Sequence, residues 1–277
     1  MVYLLLAILS SVTISLLMRV SADRVSGRLS MLCANYLVCL TLGAAHAGFG
    51  ALAPAVPGFP AALGMGAVNG VLFLASFILF QSNTRQNGMV LSSLFMKLGL
   101  LVPMAVSVLA FGEVPTWLQV AGFVMAVAAI LLINYEKGDT TGPRLGLVLL
   151  LLLGGAGDAM AKVFERLGDA ALGDLFLFYT FATAFVLCVT LAVWRREKPV
   201  WRDLFYGALI GVPNFYSAKF LLRSLDTVDA VIAYPTFSVA TILLVTLTGV
   251  WLFRERLQRR QWVALAVILV ALVLLNV

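Results

Sequence analysis

Four basic side chains interrupt apolar runs of this sequence where a charge is costly: Arg19, Lys97, Lys162 and Lys219. One acid, Asp158, lies comparably deep. An ionisable group inside a membrane-length run faces a wet cavity or a partner rather than lipid, so each is a candidate for substrate, coupling-ion or gating chemistry. Lys97 stands eight residues after Met89, too deep to reach water easily from a lipid-facing position. Snorkelling or a purely structural contact is the competing reading. Asp158 and Lys162 are four apart and share a helix face, as either a proton-coupling element or a self-satisfied ion pair. Gly154, Gly155 and Gly157 just before them permit close helix approach or a local break that exposes backbone groups. Lys219, near the outer end of its run, and Arg19, near the inner interface, are placed to snorkel; coupling or gating is the alternative.

The uncharged candidates are Asn69 and Ser76 in one run, Asn214 and Ser217 in a second, and Tyr234 and Ser238 in a third. Pro213 and Pro235 beside them can kink a helix and free carbonyls. Singly, each of these residues suits an interhelical hydrogen bond; as a set they point to a polar central site. Asn35, Tyr36 and His46 are weaker candidates. If Asp158 neutralises Lys162, Lys97 is left uncompensated, and the expected cargo carries an anionic group: a carboxylate, or a zwitterion such as an amino acid. An exporter of lipophilic cations is the rival, and would be served better by an unpaired acid and an aromatic cage. A non-transporting accessory subunit is the rival of another class, with small residues packed and no polar cavity. An enzyme would need a constellation of acids, histidines or a nucleophile with its base; one His and one deep Asp do not supply it. No cofactor is implied. With no CxxC or His/Cys cluster no metal is implied either, and Cys33, Cys39 and Cys188 read as small buried hydrophobes.

The elements that must hold these groups follow from composition. The chain is 62% hydrophobic and 12% charged, with mean hydropathy +1.04, which places it in a lipid bilayer rather than in water. The formal charge of +6 does not argue for nucleic acid, because the positive residues sit between spans. Apolar runs fall at roughly 2–20, 30–50, 61–82, 89–110 and 116–135, then 145–166, 173–194, 203–222, 229–251 and 260–277. That predicts an all-α polytopic membrane protein of ten transmembrane helices, since a helix satisfies its own backbone in lipid. Pro115 suits the first turn of the fifth helix, and Glu113 its positive end. The first run has no preceding positive region, so it reads as a retained span rather than a cleaved signal.

A polar bridge at 136–144, with Gly138, Gly142 and Pro143, divides two halves, 1–135 and 145–277. An offset of 142 pairs Phe111 with Phe253, Glu113 with Glu255, Gln119 with Gln261 and Ala129 with Ala271. An offset of 141 pairs Gly66 with Gly207, Gly70 with Gly211 and Ser76 with Ser217, and 143 pairs Arg19 with Lys162. Near-constant offsets of polar and glycine residues indicate duplication. Five spans is an odd number, so the copies are expected as inverted repeats. Thirteen Lys and Arg fall in the odd-numbered connections and two, Arg166 and Arg223, in the others. The positive-inside rule then makes the 136–144 linker cytoplasmic and both termini extracytoplasmic, in a multi-pass protein of the inner membrane.

With these features on the page, the chain resembles the drug/metabolite transporter superfamily, and within it the EamA-type transporters. The likeness lies in the five-plus-five architecture, in the acidic turn closing the fourth span of each half (Phe111-Gly-Glu113 and Phe253-Arg-Glu255), and in a basic residue late in the first span of each half, Arg19 and Lys162. The resemblance implies a secondary transporter with a small-molecule substrate, driven by protons or another coupling ion. It also implies a cavity lined by spans 1, 3, 4, 6, 8 and 9. Many relatives hold both termini in the cytoplasm, the reverse of this charge pattern.

Overall fold

The structure is a computed structural model, and it describes residues 1–21, 24–48, 52, 56–87, 92, 95–96, 98–134, 144–253 and 259–275. Among these, every regular element is helical. The helices are α1 (Val2–Ser21), α2 (Arg28–Ala47), α3 (Phe59–Asn87), α4 (Leu101–Phe111), α5 (Trp117–Asn134), α6 (Arg144–Leu167), α7 (Gly173–Trp194), α8 (Trp201–Leu225), α9 (Ala230–Phe253) and α10 (Arg259–Leu275), with a 3₁₀ turn at Ala170–Leu172. Six are long and apolar enough to cross a membrane: α1, α2, α3, α6, α7 and α9. α4, α5 and α10 are apolar but shorter. α8 is long, yet carries Arg202, Asp203, Lys219 and Arg223.

Local chemistry sets several ends. Gly112 closes α4 in the left-handed region at φ 70°, its N–H returning to the Ser107 carbonyl, a conformation that suits glycine. α5 opens on a reciprocal capping box: Thr116 Oγ1 accepts from Gln119 N at 3.2 Å, and Gln119 Oε1 accepts from Thr116 N at 2.9 Å. Pro115 therefore precedes the cap instead of occupying the first turn. α6 runs unbroken through Gly154, Gly155 and Gly157, so the local break weighed from sequence does not occur. Gly155 instead lies against the Gly99 carbonyl and Val102, where a Cβ would collide. Pro213 and Pro235 lie inside continuous α8 and α9.

By packing, the chain forms two compact units, Met1–Leu74 with Val163–Asp226, and Ala75–Lys162 with Thr227–Val277. Each draws helices from both sides of the 136–144 segment.

In the first unit, glycine faces set two helix pairs. On α3, Gly66 and Gly70 lie against the α7 carbonyls of Phe176 and Thr180. On α8, Gly207 and Gly211 lie against the α2 carbonyls of Met31 and Asn35. Any side chain would hold these backbones apart. Around them packs an aromatic cluster, with Phe181 within 6.1–6.4 Å (ring centroids) of Phe73, Phe215 and Tyr36.

The second unit is centred on α5, α9 and α10, where Ala126, Ala129, Val239, Leu265, Ile268 and Ala271 are buried together. Gly122 of α5 meets Leu274 and the Ala271 carbonyl of α10. Both cores are made of small and branched apolar side chains. Interfaces of this kind gain from close van der Waals contact, since lipid offers no hydrophobic drive between helices.

Candidate functional site

The most concentrated chemistry lies in the second unit. Lys162, on α6, places Nζ 2.6 Å from Glu113 Oε1, with the two side chains 1% and 6% exposed. Glu113 follows the Gly112 cap of α4, and its N–H also bonds the Ser107 carbonyl at 3.2 Å. The other carboxylate oxygen, Oε2, accepts a short hydrogen bond from Ser107 Oγ and one from Val231 N at 3.3 Å. Val231 is in the first turn of α9, where backbone N–H groups lack helical partners and the dipole favours an anion. One carboxylate thus ties the end of α4, the body of α6 and the start of α9. Sequence reasoning had placed Glu113 at the positive end of α5. The structure sends its side chain to α9 instead, because the left-handed Gly112 turns the chain and α5 has its own Thr116–Gln119 cap.

Tyr234, also on α9, donates its hydroxyl to the main-chain carbonyl of Asp158 at 2.7 Å. The α9–α6 contact therefore has polar ties through Glu113, from Val231 to Lys162, and from Tyr234 to Asp158. Tyr234 is buried, whereas Asp158 is exposed. Ser76 is buried on α3 and Ser238 half-buried on α9. Lys97, the deepest cation expected from sequence, lies outside the described residues.

In the first unit, Lys219 pairs with Asp174 at 2.8 Å and lies 6.0 Å from the centre of the Phe215 ring. Asp174 is in the first turn of α7, where the dipole favours a carboxylate. Asn214 Nδ2 donates to Asn35 Oδ1 at 3.2 Å, and Ser217 Oγ to the Ala7 carbonyl at 3.3 Å. These ties join α8 to α2 and to α1. Asn69 Nδ2 reaches Thr180 Oγ1 at 3.4 Å, while its Oδ1 is buried with no hydrogen-bond partner among the described residues. Arg19 is exposed in the last turn of α1.

The residues that sequence reasoning did not place in the site are Glu113, Ser107, Asp174 and Thr180. Glu113 had a usable signal, its repeat-related position in Phe111-Gly-Glu113. Asp174 and Thr180 carried none, because each is the distant partner of a residue already singled out.

A membrane protein built of apolar helices, with a buried and a half-buried ion pair joining helices, is the class that this fold and site define. The model of the EamA-like transporter family matches residues 145–277, the second half of this chain. That match suggests a membrane transporter of the drug/metabolite transporter superfamily, whose EamA-like members are transporters. An uncharacterized protein of Haemophilus influenzae is 23% identical over 205 residues, 71% of this chain and 69% of its own. A solved crystal structure, described simply as that of a protein, matches 99% of this chain and 98% of its own with a TM-score of 0.75 at 16% identity. That likeness speaks for the fold alone.

Proposed function

We propose that this chain is a secondary active transporter that moves a small polar metabolite, a carboxylate or a zwitterion such as an amino acid, by alternating access. The observation that carries the reading is the open acceptor of Asn69. A buried polar atom without a partner costs about 1–3 kcal/mol, and an amide oxygen held at that cost suits a donor such as a substrate ammonium. The other pole of the cargo is argued from charge. Lys162 and Lys219 are engaged by this chain's own Glu113 and Asp174, so neither is free to serve a substrate carboxylate without first losing an acid. Lys97, which lies outside the described residues, is assigned that role from its depth in an apolar run of the sequence.

Alternating access by inverted repeats is supported by the glycine contacts. Gly66 and Gly70 meet α7, and the offset of 141 carries them to Gly207 and Gly211, which meet α2. The partner residues, Phe176 and Thr180 against Met31 and Asn35, are likewise four apart in each pair. A duplicated five-helix unit inserted in opposite senses accounts for both pairs at once. In this reading residues 1–135 and 145–277 are the repeats, the 136–144 linker is cytoplasmic and both termini lie outside the inner membrane. Lys162 and Glu113 serve gating, and Asp158 takes the coupling proton.

The test is ligand-induced thermal stabilisation of purified protein with amino acids, simple carboxylates, nucleosides and lipophilic cations. A ligand at 100 times its dissociation constant stabilises by about 2.7 kcal/mol. Stabilisation by a carboxylate or amino acid that is lost in Lys97→Ala and weakened in Asn69→Leu is the expected result. Stabilisation by lipophilic cations alone overturns the substrate class. Transport by Asp158→Asn that still follows a pH gradient removes the proton-coupling role.

A further inference from the structure

A groove of about 480 Å³ opens in the first unit where the turn after α1 meets the start of α8, lined by Arg24, Trp201, Arg202, Phe205 and Tyr206. Arg24 Nη1 donates to the Tyr206 hydroxyl at 2.7 Å, which fixes one guanidinium at the rim. Arg202 is exposed in the first turn of α8 on the other side.

The acids beside the groove are turned inward. Asp203, fully buried, accepts the Ser26 and Gly27 N–H groups at 3.0 and 2.7 Å. Glu197 Oε1 accepts Ser30 N and Ser30 Oγ at 2.8 and 3.0 Å. Both carboxylates are thereby used to hold the start of α2 against the start of α8. Outside them Arg28, Arg195, Arg196 and Lys198 are exposed, so the field over the groove is positive.

A second feature starts at the same place. Trp201, Phe205, Leu209 and Val212 follow one another at spacings of four, four and three along α8, and all are exposed. That is one continuous apolar stripe along a helix face, leading away from the arginines.

We propose that this groove binds an anionic glycerophospholipid, with Arg24 and Arg202 gripping its phosphate and an acyl chain lying along the α8 stripe. Guanidinium groups suit phosphate through paired N–H donors. Basic pockets at the ends of membrane helices recognise anionic headgroups. An ordinary interfacial belt of Trp and Arg explains exposed residues one at a time, but not two arginines facing a concave groove with the neighbouring carboxylates withdrawn. A soluble phosphorylated compound would use the arginines and leave the stripe idle, which is why the lipid is the assigned occupant.

Native mass spectrometry of the full chain in neutral detergent tests this, titrated with phosphatidylglycerol, phosphatidylcholine of the same chain length, and inorganic phosphate. The expected result is a phosphatidylglycerol adduct that phosphatidylcholine does not match. It weakens by about tenfold or more in Arg24→Gln/Arg202→Gln and also weakens in Trp201→Ala/Phe205→Ala. Arg202→Gln alone leaves the Arg24–Tyr206 bond in place and should still weaken the adduct, which separates loss of the site from loss of the fold. Equal binding of the two lipids, or a phosphatidylglycerol adduct unchanged in these variants, overturns the proposal. Displacement of phosphatidylglycerol by millimolar inorganic phosphate overturns the lipid assignment in favour of a soluble phosphate.

Discussion

Glu113 holds Lys162 at 2.6 Å with both side chains nearly out of reach of solvent, and does so while its other oxygen serves the first turn of α9. Taking away one partner leaves a buried charge unmatched. Glu113→Leu or Lys162→Met alone should each cost about 3–5 kcal/mol. Glu113→Leu with Lys162→Met should cost less than the sum of the two single replacements, because no orphan charge remains. Thermal unfolding in detergent of the four proteins forms a double-mutant cycle. Strictly additive losses would mean that the two charges do not meet.

The glycine faces give a second prediction. Gly70→Ala and Gly211→Ala each drive a methyl into a facing backbone, and should destabilise by about 1–3 kcal/mol. The two effects should be alike if the contacts are related by duplication. Gly64 has nothing within 4 Å of an added Cβ. Gly64→Ala should therefore be neutral or stabilising by up to about 1 kcal/mol through helix propensity. Equal losses at all three positions would argue against the α3–α7 and α8–α2 approach.

Cys33 of α2 and Cys188 of α7 place their sulfurs 3.4 Å apart, while Cys39 is buried beside the Gly211 carbonyl. Copper-phenanthroline, the oxidant, should convert the two thiols to a disulfide with loss of two hydrogens. Peptide mapping should then find Cys33 joined to Cys188 and Cys39 still alkylatable after unfolding. A Cys39–Cys188 bridge as the main product would contradict the register in which α2 packs on α7.

Asp203 is expected to be structural. Asp203→Ala strips the Ser26 and Gly27 N–H groups of their acceptor and should cost about 1–3 kcal/mol. Asp203→Asn, which keeps one acceptor oxygen, should fall between the two. A wild-type melting temperature in Asp203→Ala would show that water serves those N–H groups equally well.

Much of the helical layout was legible in the sequence, because an apolar run of membrane length has few other conformations open to it. The run at 173–194 coincides with α7, and those at 2–20 and 145–166 differ from α1 and α6 by one residue at their ends. The fourth run, 89–110, is interrupted: Ser92, Phe95, Met96 and Leu98 are helical, a turn follows at Gly99 and Leu100, and α4 begins at Leu101. The polar ties were legible on one side only. Lys162 and Lys219 stand out from sequence as charges in apolar runs, but nothing local in the sequence pairs them with their acids. Glu113 and Asp174 sit at helix ends, where an acid is ordinary, and only the fold brings them to the cations. Asn69 and Asn214 were visible as polar groups in spans, yet whether each was satisfied depended on Thr180 and Asn35 across an interface that no local pattern specifies.

The interleaving of the two sequence halves bears on how the protein is made. α3 leaves the ribosome with Gly66 and Gly70 exposed on a face whose partner, α7, has not yet been synthesised, and α2 waits longer still for α8. The first half must therefore stay inserted and unpaired while the second is threaded into the bilayer. Packing is completed late, by return contacts. Cutting the chain within 136–144 should leave fragments that need one another to assemble.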